Sequence, residues 1–102
     1  MTTRRIRYTP AAADSIRHLH PAITQAIRDG IRSLADDSLL GHSLVLELAG
    51  FRSLRISKYR VIYRVQESER IVEIHLVGSR REIYEAFREL LIGLSARGKE
   101  SE

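Results

Sequence analysis

From Arg52 to Val77 apolar and polar residues alternate, the repeat that sends successive side chains to opposite faces of a sheet. Three strands are expected, Arg52–Ile56, Tyr59–Gln66 and Arg70–Val77. Leu54, Ile56, Val61, Tyr63, Val65, Val72, Ile74 and Leu76 would share one face, with Arg55, Arg60 and Arg64 on the other. Ser57-Lys58 makes a tight turn without the Asn-Gly or Asp-Gly signal of the favoured hairpin types. Glu67-Ser68-Glu69 makes the second turn. A short strand near the start carries Ile6 and Tyr8 on one side and Arg5 and Arg7 on the other, and its arginines discourage edge-to-edge pairing.

Elsewhere the period is helical. Thr9-Pro10 reads as an N-cap followed by proline at the first helical position. Ala13, Ile16 and Leu19 form the first stripe. His20-Pro21 interrupts it, because the residue before a proline disfavours helix. Pro21 can start a second helix, with Ile23, Ala26, Ile27, Ile31 and Leu34 as its stripe and Asp36-Asp37-Ser38 as its end. Gly30 inside that helix costs about 1 kcal/mol against alanine, which points to close approach by a helix or sheet. Leu39 to Gly50 fits a partly extended connection as well as a strand. Ile83, Ala86, Phe87, Leu90, Leu91 and Leu94 predict a C-terminal amphipathic helix, followed by a polar tail over 96–102. The order strand, two helices, three-stranded antiparallel meander, helix predicts one α+β domain over residues 1–95, with the helical hairpin on the apolar side of the sheet.

Composition narrows the choice of function. The 102 residues include no cysteine, which removes disulfides, thiolate metal sites and a thiol nucleophile. No apolar run is long enough to span a bilayer, and Met1-Thr2-Thr3-Arg4-Arg5 is not followed by the apolar segment of a signal peptide. A soluble, cytoplasmic protein without membrane partners is expected. The net charge is +4, and 15 of the 17 basic residues are arginine. Eight basic residues stand against three acidic ones between Arg52 and Arg81. Arginine suits phosphate because its planar fork donates in pairs and keeps its charge. A sheet with one apolar and one arginine face is suited to bury the first and offer the second to a polyanion. Simple solvation of a small domain is the alternative.

His18, His20, His42 and His75 have no companion ligands at metal spacing, so neither metal nor cofactor is expected. His75, on the last strand opposite Ile74 and Leu76, is either a partly exposed histidine without a role or a general acid or base. Common nucleotide-binding and hydrolase signatures are absent. Glu82 and Glu85 complement the dipole of a helix start. There remain Arg55, Arg60, Arg80, Arg81 and Tyr84. Cleavage of a phosphodiester by the neighbouring 2′-hydroxyl concentrates negative charge on phosphorus oxygens, which fixed guanidinium groups stabilise. Tyr84 is the better group for proton transfer or for stacking on a base. An arginine surface made for an acidic protein segment stands beside that reading.

Leu54-Arg55-Ile56, Tyr59-Arg60-Val61-Ile62-Tyr63 and Gly78-Ser79-Arg80-Arg81-Glu82-Ile83-Tyr84, behind a strand and a helical hairpin, resemble the RelE/ParE superfamily of bacterial and archaeal toxins. The resemblance spans about Ile6 to Leu91 and includes the connection Leu39–Leu44. It implies a RelE/ParE-like fold and a type II toxin–antitoxin system, in which an antitoxin wraps the toxin and masks its basic surface. RelE-like members cut mRNA in the ribosomal A site; ParE-like members poison DNA gyrase. By the same resemblance Arg55, Arg60, Arg80 and Tyr84 are the catalytic candidates at the scissile phosphate; the other basic residues of this stretch, Arg52, Lys58, Arg64 and Arg81, are expected as substrate contacts. This chain departs from the RelE pattern in having Ser53 and Arg55 where a pair of lysines is common, which leaves the general base unassigned. Tyr84 favours a ribosome-dependent mRNA endonuclease, an mRNA interferase that inhibits translation. A gyrase inhibitor without nuclease activity and an inactive antitoxin-binding relative are the alternatives.

Overall fold

Thr9 closes the first strand and opens the first helix. Strand β1 (Arg5–Tyr8) ends beside it, and its hydroxyl accepts the Ala12 amide at 3.1 Å as the N-cap of α1 (Pro10–Arg17). The structure, a computed structural model, describes residues 3–79 and 82–100, with side chains as far as residue 93. His20 caps α2 (Pro21–Asp36), its Nδ1 accepting the Ala22 amide at 3.1 Å. Ala12 and Ile16 are the buried residues of α1, and Ile27, Ile31, Leu34 and Ala35 those of α2. Ala13 and Ala26, expected in the stripes, are exposed. The larger Ile16, Ile27 and Ile31 set the rotation of each helix, and an alanine one position off loses little by facing water.

The meander forms as predicted, from β3 (Arg52–Ile56), β4 (Tyr59–Gln66) and β5 (Ile71–Ser79). Strand β1 joins it parallel to β5, and a two-residue β2 (His42–Ser43) pairs with β3. The sheet therefore has five strands in the order β1-β5-β4-β3-β2. A 3₁₀ turn at Leu46–Leu48 completes the stretch that periodicity left open. Tertiary hydrogen bonds decide its path. Tyr63 Oη accepts the Gly41 amide at 3.0 Å and donates to the Ser38 carbonyl at 2.8 Å. Gly41 lies so close to β3 that an added Cβ would stand 2.5 Å from the Ser53 carbonyl oxygen.

Leu54, Val61, Tyr63, Val72, Ile74 and Val77 pack against Ala12, Ile16, Ile27, Ile31 and Leu34. Val61 and Tyr63 have no exposed surface, as a core face beneath the helical hairpin requires. Gly30 makes the close approach expected of it, to the sheet: a Cβ there would stand 2.4 Å from Ile56 Cδ1.

One expected core residue changes sides. Tyr63 pairs with Ile74 but Ile62 pairs with Leu76, so His75 is an extra residue in β5. Such a bulge breaks the two-residue alternation. Leu76 moves to the opposite face and Val77 takes its place under the hairpin.

That opposite face is not the open arginine surface predicted from alternation. Helix α3 (Ile83–Glu100) lies across it, burying Ile83 and Phe87 with Leu48 and Ile62, and with Leu44, Phe51, Leu76, Tyr84, Leu90 and Leu91 packed around them. Phe51, Ile62 and Leu76 make the middle of this face apolar, and the stripe of α3 covers it. The polar stretch beginning at Ala96 continues α3 as far as Glu100; no proline stops it.

Candidate functional site

Register places Arg55 directly opposite Arg60 across β3 and β4. The turn between these strands holds Ser57 at φ 56°, in the left-handed region, which costs a non-glycine residue some strain. Like charges facing one another across a sheet are destabilising, so folding alone gives no reason for this pair. An anion between them would remove the repulsion. Arg55 is exposed and donates from Nε to the Ser57 carbonyl at 3.2 Å. Arg60 Nε is buried and has no hydrogen-bond partner among the described residues, a rare state for a buried donor.

The first turn of α3 brings Tyr84 beside Arg60. Arg60 Cζ lies 6.0 Å from the centre of the Tyr84 ring, at the outer limit of a cation–π contact. Tyr84 Oη lies 3.0 Å from Oγ of Ser53, which sits on β3 two residues before Arg55. Gly78 pairs with Arg60, so the end of β5 runs past the same patch. Arg80 and Arg81 themselves lie outside the described residues. Lys58 is exposed in the β3–β4 turn, next to the pair. Arg55, Arg60 and Tyr84 are thus brought together, and Lys58 stands at their edge.

Arg52 and Arg64 are placed elsewhere. Arg52 is paired with Tyr63, so it sits in the register of the hairpin-side residues. Its guanidinium donates to Ser43 Oγ at 2.7 Å, the Gly41 carbonyl at 2.6 Å and the Leu39 carbonyl at 3.3 Å. These bonds tie the β2 connection to β3. Arg64 lies near the far end of β4, with Cζ 5.6 Å from the Phe51 ring centre and Nη2 3.6 Å from Glu73 Oε1.

Glu73 gathers a second polar cluster. Its carboxylate accepts Arg7 Nη2 at 2.5 Å, His75 Nε2 at 2.7 Å and Gln66 Nε2 at 3.3 Å. Burial pushes the Glu73 carboxyl up, but the hydrogen bonds and charges of Arg7 and His75 outweigh it and hold the group below its usual range. Burial pulls His75 down against the opposing pull of Glu73. The imidazole is therefore neutral near pH 7 and donates from Nε2. It rests edge-on against Phe51 and Phe87, with ring centres 5.0 and 5.8 Å away. The role left open for His75 is accordingly a contact between the polar cluster and the aromatic core.

Two hollows bear on function. One of about 240 Å³ adjoins Tyr84, lined by Leu44, Val45, Leu46, Leu48 and Arg88. The larger, about 820 Å³, lies between α1, α2 and β1, with Ile6, Ile16, Leu19 and Ile31 in its wall and Arg28 and Arg32 among its lining residues. Burial raises the Tyr8 hydroxyl there above its usual value, with Arg28 and Arg32 pulling it back. Size does not make that hollow the reactive centre. The Arg55–Arg60 pair, with the Tyr84 ring beside Arg60, is the arrangement suited to an anion. Among the described residues no group of three or more His, Asp or Glu side chains is placed to hold a metal ion, and no helix is long and apolar enough to cross a membrane.

Sequence reasoning noted Ser53 only as a departure from a lysine pattern. Its same-face spacing with Arg55 is the one signal that would have drawn it into the site.

A chain of the toxin–antitoxin complex RelBE2 from Mycobacterium tuberculosis superposes with a TM-score of 0.74 at 32% identity, over 78% of this chain and 94% of that one. The isolated RelE toxin of E. coli superposes with a TM-score of 0.66 at 17% identity, over 85% and 98%. The YoeB/ParE toxin of Agrobacterium tumefaciens does so at 0.65 and 23% identity, over 74% and 98%. The last two matches speak for the fold alone. No curated protein sequence matches the chain significantly. The sequence profile of the ParE toxin of type II toxin–antitoxin systems matches residues 6–84, from β1 through Tyr84. With its fold, the order of its elements and that match in agreement, the chain belongs to the RelE/ParE superfamily, as a toxin of a type II toxin–antitoxin system.

Proposed function

We propose that this toxin is a ribosome-dependent mRNA endonuclease. The observation that carries the reading is the meeting of Arg55, Arg60 and Tyr84 on one patch beside the end of β5. In this reading the 2′-hydroxyl of the substrate attacks the adjacent phosphorus, and the bond from phosphorus to the 5′-oxygen breaks. A 2′,3′-cyclic phosphate and a 5′-hydroxyl result. Arg55, Arg60 and Arg80 stabilise the charge on the phosphoryl oxygens. Tyr84 gives its proton to the departing 5′-oxygen, and water accepts the proton of the 2′-hydroxyl. The nucleophile belongs to the RNA, so this scheme requires no cofactor. Lys58 and Arg81 flank the phosphate, Arg64 contacts the strand farther along β4, and Arg52 holds the connection beside β3. The ribosome as the site of action puts the protein in the cytoplasm.

A cognate antitoxin is the protein partner. Relatives with this fold include chains of toxin–antitoxin complexes. The local excess of arginine supports an acidic, amphipathic antitoxin that covers the cationic patch and a sheet edge. Phe87 is buried against the toxin's own sheet and offers no surface to such a partner.

The match to the ParE profile favours a second reading, a gyrase inhibitor without nuclease activity. Expression without the antitoxin separates them, with primer extension on cellular mRNA run beside a gyrase supercoiling assay. Cuts within translated codons that disappear with Arg60→Ala support the nuclease. Intact mRNA with arrested supercoiling assigns the toxin to gyrase. Neither effect leaves an inactive relative that still binds antitoxin.

A further inference from the structure

Ser53 lies on the same face of β3 as Arg55 and has no exposed surface. Its Oγ is 3.0 Å from Tyr84 Oη, and no other partner for it is found among the described residues. Two hydroxyls in contact share one proton, and the other proton must point elsewhere. Were Tyr84 the donor, the Ser53 proton would be buried without an acceptor, which is costly. With Ser53 as donor the Tyr84 proton is left on the less buried partner, beside Arg60. A phenol oxygen that accepts a hydrogen bond also bears negative charge more easily, since hydrogen bonding to a charged form favours it.

We infer that Ser53 donates to Tyr84 Oη and thereby aims the phenol's proton at an anion held between Arg55 and Arg60. Ser53 is a positioning residue: it is buried and acts through Tyr84. Its effect on turnover rests on the nuclease reading, whereas the hydrogen bond itself does not. The same geometry gives a buried serine a part in the site. A buried hydroxyl cannot reach the RNA, but it can orient the group that does.

The test has a spectroscopic arm and a kinetic arm, on the full chain released from its antitoxin. The Raman Fermi doublet of tyrosine distinguishes a phenol that accepts a hydrogen bond from one that only donates. Subtracting the spectrum of Tyr84→Phe isolates Tyr84 from the other three tyrosines. An acceptor signature that disappears in Ser53→Ala and returns in Ser53→Thr is expected. Donor-only character in the unsubstituted chain overturns the inference, whatever the enzyme does. In the kinetic arm, Ser53→Ala should lower kcat on ribosome-bound mRNA about tenfold, the value of one modest hydrogen bond, with KM nearly unchanged. Ser53→Thr should restore it, and Ser53→Ala should have no further effect in a Tyr84→Phe background. Additive losses in that double variant overturn the positioning role. Thermal unfolding of each variant separates these losses from misfolding. An acceptor signature in a chain that cuts no RNA supports the hydrogen bond and overturns the nuclease reading alone.

Discussion

The two faces of the sheet are built on different principles. Under the helical hairpin, Val61, Tyr63, Val72 and Ile74 are fully buried in one continuous apolar layer. The other face is divided. Arg7, Glu73 and Arg64 occupy one end, Phe51, Phe87, Ile62 and Leu76 the middle, and Arg55 and Arg60 the other end. On the first face packing accounts for the buried side chains, and Arg52 at its margin is held by hydrogen bonds to the β2 connection. On the second it accounts for the middle alone, and what packing leaves unexplained is where chemistry is to be sought. A guanidinium pair in cross-strand register is a cost to folding, and its retention points to a ligand.

Substitutions can break this contrast, beginning with the hairpin side. Tyr63→Asp should abolish folding, because it puts an unpaired charge into the core and removes the bonds to Ser38 and Gly41. Loss of cooperative unfolding by circular dichroism checks it. On the divided face, Phe87→Ala should cost about 3–5 kcal/mol, seen in urea titrations, with α3 becoming open to protease. Arg60→Ala should leave the unfolding midpoint almost unchanged and yet lower RNA cleavage at least about 100-fold, which abolishes growth inhibition. A stability loss as large as that of Phe87→Ala would make Arg60 a packing residue and erase the distinction between the two parts of this face.

Acid gives the gentlest probe. Glu73 and His75 both bind protons more readily when unfolded, since both titrate below their ordinary values in the fold. Stability is therefore full above the ordinary histidine value near 6.5 and begins to fall as pH drops below it. The Glu73 contribution is lost later, below the ordinary glutamate value near 4.5, as pH passes through its depressed folded value. Glu73→Gln should flatten the lower limb of this profile, measured by urea titration across pH. An unchanged profile would place the acid-sensitive contacts outside the divided face.

The continuous face was legible in the sequence because strict alternation and an apolar stripe describe the same burial from two sides. The cap at Thr9, the break at His20-Pro21 and the close approach at Gly30 were legible because each rests on backbone geometry peculiar to its residue. The bulge at His75 left no mark in the pattern, and it carried Leu76 to the wrong side. Nor did periodicity reveal that α3 folds over the arginine face, since a stripe shows what a helix will bury but not where. The β2 connection was illegible for another reason: Tyr63 and Arg52 dictate its path from 9 to 25 residues away. At the candidate site, Arg55, Arg60 and Tyr84 stand out in the sequence by residue type and motif. Ser53 was overlooked because a buried serine differs from any other strand serine only by what it touches.

The parallel pairing of β1 with β5 has a consequence for the order in which the molecule comes into being. Arg7 and Glu73 are 66 residues apart in the chain, and such distant pairings form slowly because a long loop must close first. During synthesis the first strand emerges well before its neighbour, which begins at Ile71. The patch at Arg55, Arg60 and Tyr84 also needs α3, which comes later still. A nascent chain halted before residue 71 lacks every partner of β1 and can form neither the closed sheet nor the patch. The sheet and the patch thus close only after β5 and α3 have been made, in that order.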